Sequence, residues 1–400
     1  MTITDAKYET FRQEVRDFFE AELIPDLQRG GRLMTSVYAD PEVQQRWQRK
    51  LCERGWVAPG WPAEYGGCDW DALQLYIFAQ ERARAGAPPV SLAVGMVGPA
   101  IIGFGTDEQK QFFLPRLLSG EHIWCQGYSE TSAGSDLASL NMAAVREGDE
   151  LVCSGHKIWT THANIANWIF CLVRTSRGGR KQQGITFLLI EMDTPGIEVR
   201  PIVMASGEHI QNQIFFDNVR VPVSNVLGQI DDGWTVAKFL LEFERGGSAY
   251  APRIDIGLRD LQERVRARDN PEDADLLTRI SEARIRCDIL AELELEILSN
   301  LEAGAGAGVD ASMMKILGTE MEQRLTELMV EAAGPLARAY QPGVAMAGGP
   351  IPGYVQSDYC SGEVWEAIAP LRYLNERAAS IYAGSNEIQR NILAKAQLGL

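Results

Sequence analysis

The chain has 400 residues, 46% of them hydrophobic, enough apolar material for a large core spread over two or three subdomains. Its formal net charge of −16 argues against a nucleic-acid partner, whose phosphates need Lys and Arg, yet leaves room for an anionic substrate on a local basic patch. No apolar run nears the roughly 20 residues of a membrane span, and the N-terminal stretch lacks signal-peptide features, so a cytoplasmic protein without membrane insertion is expected.

Taken in order, Tyr8, Phe11, Val15, Phe18, Phe19 and Leu23 recur at steps of three and four, which predicts an amphipathic helix over 5–26. Trp-Pro and Gly-Gly breaks make 55–67 a loop. Residues 71–85 and 106–119 read as helices, the second with Thr106 as N-cap, and the small apolar stretch 87–105 as a buried helix. Residues 1–122 are thus expected to form a helical domain.

From residue 123 the period changes to two. The runs 142–146 and 150–153 flank Glu147-Gly148-Asp149 as a hairpin. Further strands are predicted at 168–174, 185–191, 197–203 and 213–219. No long helix separates them, so an antiparallel or barrel-like middle domain is expected over 123–232. There is no G-x-G-x-x-G after a strand, which removes the usual support for a doubly wound dinucleotide fold.

Helices return over 233–400, at 234–244, 275–301 and 310–333, the last with Asp310 as N-cap and Gly334 beyond its end. The GAGAG run at 304–308 reads as a flexible connector. The expected class is therefore α+β and mainly helical, with a β middle domain between two helical ones. The seven cysteines form no C-x-x-C pair and read as buried thiols. The four histidines have no ligand spacing, so no metal site is expected.

Two motifs stand out in the middle stretch. Ser129-Glu130-Thr131-Ser132-Ala133-Gly134-Ser135-Asp136 is a small-residue turn whose hydroxyls and amides suit a flat polar ligand. His156-Lys157-Ile158-Trp159-Thr160-Thr161 places an indole two residues before a hydroxyl, on one face of a segment read as extended. Together, S-E-x-x-A-G-S-D and G-x-K-x-W-x-T closely resemble the flavin-facing segment of the acyl-CoA dehydrogenase family. The resemblance runs along nearly the whole chain, through the Gly60–Gly67 stretch GWPAEYGG and the Ile381–Arg390 stretch IYAGSNEIQR.

That resemblance implies FAD, an acyl-CoA substrate and an electron-transferring flavoprotein as acceptor. The implied reaction takes the α-hydrogen as a proton and the β-hydrogen as a hydride to flavin N5, leaving a trans-2-enoyl thioester. It needs a carboxylate base, hydrogen bonds to the thioester oxygen and a dry pocket. Many members carry the base directly after the tyrosine of I-Y-x-G, where this chain has Ala383. A minority carry it immediately before an arginine on the first long C-terminal helix, and Glu244-Arg245 matches that arrangement. The resemblance thus makes Glu244 the base, ahead of Glu242 on another side of the helix, and puts Arg245 and Ser135 at the substrate. Gln126, Tyr128, Ser129, Trp159 and Thr161 match positions around the flavin ring, and Gly384, Ser385, Asn386 and Glu387 match the cofactor-binding turn.

Two departures bear on assembly. After Arg264 the Q-F-G-like segment that reaches a neighbouring subunit's FAD is absent, and a later Gly-Gly turn is Gly334-Pro335 here. Both resemble a branch in which two related chains form an α2β2 heterotetramer acting on bulky acyl-CoAs such as steroid side chains or dicarboxylic acyl chains. Other readings within the same fold are a non-catalytic partner subunit, which Ala383 favours and Glu244 opposes, and an oxygen-using flavin enzyme.

Overall fold

The computed structural model describes residues 6–246, 249–302 and 309–399, with the backbone alone at 242–246 and 301–302. The connector expected at 304–308 lies outside the described residues. The chain begins with α1 (Ala6–Glu22), α2 (Pro25–Arg32), α3 (Pro41–Arg54), α4 (Ala72–Ala85), α5 (Leu92–Gly95), α6 (Val97–Phe104) and α7 (Asp107–Ser119). Strands follow: β1 (Trp124–Gly127), β2 (Ala143–Glu147), β3 (Glu150–Lys157), β4 (Trp168–Arg174), β5 (Ile185–Glu191), β6 (Ile197–Val203) and β7 (His209–Pro222). The chain then runs through α8 (Gly233–Gly246), α9 (Ala251–Ala267), α10 (Ala274–Glu302), α11 (Asp310–Ala333), α12 (Val364–Glu376) and α13 (Asn386–Leu398). The α+β class is as expected.

Local chemistry explains where these elements depart from the sequence pattern. The helix expected over 5–26 stops at Glu22, because Pro25 has no amide to donate and instead opens α2 at its first position. The helix expected over 87–105 breaks at Met96, whose φ and ψ are −116° and −82°; Pro99 is tolerated in the first turn of α6 but not in the middle of one long helix. Val309, not Asp310, occupies the cap of α11, and Asp310 is its first residue, where an acid favours the positive helix end. The cap expected for α7 is present: Gln109 N donates to Thr106 Oγ1 at 3.3 Å and Thr106 N donates to Gln109 Oε1 at 3.1 Å.

By its contacts the chain forms two units. A helical unit comprises Met1–Trp47, Asp69–Pro89 and Arg245–Leu400, and a sheet unit comprises Gln48–Cys68 and Val90–Glu244. In the helical unit, Tyr8, Phe11, Val15 and Phe19 form the buried face of α1, which packs on α4. Arg12 and Arg16 of α1 reach Glu81 of α4 at 2.7 and 2.9 Å. Helices α9, α10 and α11 close around Ile254, Leu258, Ile280, Leu290 and Leu328. Each such fully buried side chain contributes about 1.5–3 kcal/mol.

In the sheet unit, β2 and β3 form the expected hairpin, with Glu147 opposite Glu150 across a turn in which Gly148 has φ 64°. β7 pairs antiparallel with both β3 and β6. β5 pairs with β4 along its length, while β1, parallel to β4, and the start of β2 share the other edge. Buried Ile169, Cys171, Val173, Leu188 and Ile190 give β4 and β5 the continuous apolar character of covered strands. Four cysteines (125, 153, 171 and 287) are buried, whereas Cys52, Cys68 and Cys360 are half-exposed, so the expectation of uniformly buried thiols is too broad. Among the described residues no helix is long and apolar enough to cross a membrane.

Candidate functional site

Short strand β1, which the sequence pattern did not pick out, positions the first group of residues. It lies beside β4 with Trp124 opposite Trp168 and Gly127 opposite Cys171. A Cβ at Gly127 would sit 2.7 Å from Ile169 Cδ1, so glycine permits this approach. Gln126 is half-buried near the end of β1, and Tyr128 and Ser129 follow it, buried and half-buried. The chain then turns into Glu130, whose carboxylate is 4% exposed.

Glu130 is the anchor of this turn. Its oxygens accept from Asn141 N at 2.7 Å and Met142 N at 2.9 Å. The fully buried Lys157, at the end of β3, donates to Glu130 Oε1 at 2.9 Å and to Tyr128 O at 3.1 Å. Burial pushes the Glu130 carboxyl up, but the Lys157 ammonium and the two amides outweigh it and hold it below its usual range. The ion pair therefore locks the Tyr128–Glu130 segment to the strand that leads into Trp159. Both residues belong to the two motifs that carry the resemblance, yet motif reading assigned them no role. Two opposite charges at polar positions of adjacent motifs are the signal that could have found them.

Beyond Lys157 the segment is not extended, contrary to the sequence reading. The ladder ends, Ile158 N donates to Ser129 O at 2.9 Å, and Trp159 adopts φ 60°. Such a conformation costs a bulky residue on the order of 1 kcal/mol and persists only where its surroundings enforce it. Thr160 N donates to Asn212 O at 3.0 Å, and Asn212 Nδ2 returns a bond to Thr160 O at 3.0 Å. Gln211 Nε2 donates to Thr161 Oγ1 at 3.0 Å. The outcome is an indole 62% exposed to solvent on a backbone that β7 holds rigid. Ser135 lies exposed in the turn beyond the bridge between Glu130 and Ala133.

The second group belongs to the helical unit. Ala383 and Gly384 are consecutive left-handed residues, at φ 55° and 79°, and turn the chain into α13. Ser385 caps that helix, its Oγ accepting from Ile388 N at 3.4 Å, and Glu387 is exposed in the first turn. Asn386 differs: it is 2% exposed, accepts from Lys315 Nζ at 2.8 Å and donates to Thr319 Oγ1 at 3.2 Å. Its amide thus serves the junction of α13 with α11, while Gly384, Ser385 and Glu387 present the turn's polar surface. Glu244 and Arg245 fall near the end of α8, and their side chains lie outside the described residues.

A rigid exposed indole beside hydroxyls and amides offers an apolar wall together with donors, which is what a flat heteroaromatic ring needs. Among the described residues no group of three or more His, Cys, Asp or Glu comes together to hold a metal.

Family models for the acyl-CoA dehydrogenase N-terminal, middle and C-terminal domains match residues 5–121, 125–219 and 231–398. The chain is 36% identical over 368 residues to the acyl-CoA dehydrogenase IpdE1 of Mycobacterium tuberculosis, covering 90% of this chain and 88% of that protein. It is 31% identical over 409 residues to acyl-CoA dehydrogenase FadE26 of the same organism, covering 98% and 96%. Among solved structures, the Tcur3481-Tcur3483 steroid ACAD superposes with a TM-score of 0.82 at 29% identity, covering 100% of this chain and 99% of that one. The ChsE4-ChsE5 complex of Mycobacterium tuberculosis gives 0.79 at 28% identity, over 100% and 99%.

Proposed function

Since the chain belongs to the acyl-CoA dehydrogenase family, flavoprotein oxidoreductases acting on acyl-CoA, we propose that it is the FAD-dependent, base-bearing subunit of such an enzyme, converting an acyl-CoA to its trans-2-enoyl thioester. The observation that carries this reading is Trp159, an exposed indole held at φ 60° beside the Tyr128–Ser129 turn by the buried Lys157–Glu130 pair. A side chain of that size is left open to water on a strained, rigid backbone when something is meant to cover it.

The residues present fit FAD. Trp159 would flank the ring, Gln126, Tyr128, Ser129 and Thr161 would meet its polar edge, and Gly384, Ser385, Asn386 and Glu387 would contribute a cofactor-binding turn in which Asn386 acts through its junction with α11. Bound FAD supplies the two-electron oxidant for the β-hydrogen. Glu244 takes the α-proton, Ser135 holds the thioester arm, and Arg245 borders the acyl group. A carboxylate is a weak base in water, and the reaction calls for a dry site in which the base's proton affinity rises toward what the α-carbon requires.

A paralogous partner chain in an α2β2 tetramer is part of this proposal, with an electron-transferring flavoprotein as acceptor. The Tcur3481-Tcur3483 steroid ACAD and the ChsE4-ChsE5 complex are each named for two components. Arg264 is engaged within its own unit, bonded to Glu363 at 3.1 Å and set over the Trp365 ring at 5.6 Å.

The test is anaerobic bleaching of the flavin absorbance by a panel of acyl-CoAs in wild type and Glu244→Gln. Removal of the base at nearly constant shape lowers the reduction rate by about 10³-fold or more with flavin content unchanged. Equal bleaching in both proteins removes Glu244 from the chemistry.

A further inference from the structure

Strand β7 does more than extend the sheet. It alternates, with Ile210, Asn212, Ile214 and Phe216 buried and Gln211, Gln213 and Phe215 half-buried, so Gln211 stands on the face opposite the apolar core. Thr160 N donates to Asn212 O at 3.0 Å and His162 N to Ile210 O at 2.8 Å, which brackets Thr161 and sets it opposite Gln211. Across that pair Gln211 Nε2 donates to Thr161 Oγ1 at 3.0 Å, the close approach expected of side chains that face each other between ladder bonds.

The backbone of this segment is held without Gln211. Trp159 and His162, on either side of Thr160 and Thr161, are at φ 60° and 57°. Asn212, fully buried, donates from Nδ2 to Thr160 O at 3.0 Å and to Ile210 O at 3.1 Å. The Gln211 side chain takes no part in those bonds: its amide nitrogen meets the Thr161 hydroxyl, and its Oε1 is buried and meets no donor among the described residues. A buried carbonyl oxygen left unpaired lowers stability, a cost that an apolar side chain of the same length would not carry. Stability therefore does not account for an amide here. What the amide does reach is the hydroxyl that the dehydrogenase reading puts at the flavin ring.

A threonine hydroxyl can take several staggered positions, and a hydrogen bond received from a fixed amide selects among them. We propose that Gln211 is a positioning residue of the flavin site, fixing the Thr161 hydroxyl oxygen where it meets the polar edge of the ring and acting on the flavin only through Thr161. This rests on the reading of Thr161 as a flavin contact and adds to it a residue from outside both motifs.

The flavin-loaded assembly is compared as wild type, Gln211→Met, Thr161→Val and the double variant. The readouts are the visible bands and midpoint potential of the flavin, anaerobic reduction by an acyl-CoA, and unfolding in urea. Met keeps the length of the side chain without a donor, and Val keeps the shape of threonine without the hydroxyl. Gln211→Met should displace the bands and the potential and lower the limiting rate of reduction about tenfold with the acyl-CoA KM unchanged, while the unfolding midpoint stays at or above that of wild type. In the Thr161→Val background the same replacement should shift neither the flavin nor the rate, because the two residues act as one unit. Effects that add in the double variant overturn the inference. A Gln211→Met protein that fails to fold, or that loses stability while its flavin keeps wild-type bands, potential and rate, assigns Gln211 a structural role and likewise overturns it. Thr161→Val decides without any change at Gln211: a flavin that it leaves unaltered gives the amide nothing to position. Absence of reduction by any acyl-CoA removes the dehydrogenase reading instead, and the bands and potential still decide the role of Gln211.

Discussion

Lys157 shows how much one residue does for this site. Its ammonium is fully buried and has two uses, neutralising Glu130 and pinning the Tyr128 carbonyl. Replacement by Met keeps the length and removes the charge, which leaves Glu130 buried with only the Asn141 and Met142 amides. Breaking a buried pair from one side costs about 3–5 kcal/mol. Lys157→Met is therefore expected to lower the unfolding free energy by that amount in urea titrations and to lose flavin in proportion. If stability and flavin content both stay at wild-type levels, the pair is not the anchor of the turn. The same residue-scale reasoning applies to Trp159, whose exposure would be unremarkable on a relaxed loop and is informative because its backbone is held at φ 60°.

Among the elements, α9 begins in an unusual way. Glu294 of α10 is 1% exposed and accepts from Tyr250 N at 2.6 Å and from Ala251 N at 3.1 Å, so a carboxyl on one helix caps the start of the helix before it. Burial outweighs those amides and a bond from Tyr76, and raises its pKa to about 7. A folded-state value above the unfolded one means that folding takes up a proton. The stability linked to Glu294 is fully present below about pH 4.5 and is lost as pH rises through about 7. Gln at this position mimics the protonated acid and does not titrate. Unfolding measured at about pH 5 and about pH 8 should show wild type losing about 2–3 kcal/mol relative to Glu294→Gln. A difference that stays flat with pH would mean that Glu294 is already ionised in the native protein. The helix it caps also presents Arg253 and Arg264.

For the whole molecule the prediction concerns assembly. Arg264 is occupied by Glu363 and Trp365 within its own unit, and the segment after α9 is only residues 268–273, ending in the turn Pro271–Asp273, before α10 begins. Neither leaves an obvious arm for a neighbour's cofactor. Co-expression with a paralogous chain is expected to raise the FAD bound per base-bearing chain and to shift the mass to that of an α2β2 particle, measured by absorbance and light scattering. Flavin occupancy that is already complete in a homo-oligomer, and unchanged by the partner, would contradict the paired-chain reading.

The features legible from sequence were those set by neighbours along the chain. Runs of β-branched and aromatic residues bounded by Gly, Pro and charged turns located β4, β5 and β6 to the residue, and Thr106 with Gln109 marked the start of α7 because a capping box spans three residues. The motifs also carried the family and the fold. What depended on tertiary structure was the joining of distant positions. β1 has four residues and becomes a strand through its neighbour β4; the turn at Trp159 is held by residues some fifty positions later on β7. Glu130 and Lys157 are separated by 27 positions, and Glu294 of α10 meets the amides of Tyr250 and Ala251 at the start of α9. Periodicity records which face of an element is buried, but a buried ion pair or a carboxyl cap supplied by another helix exists only once the elements have packed, because Coulomb energy depends on distance in space and not along the chain.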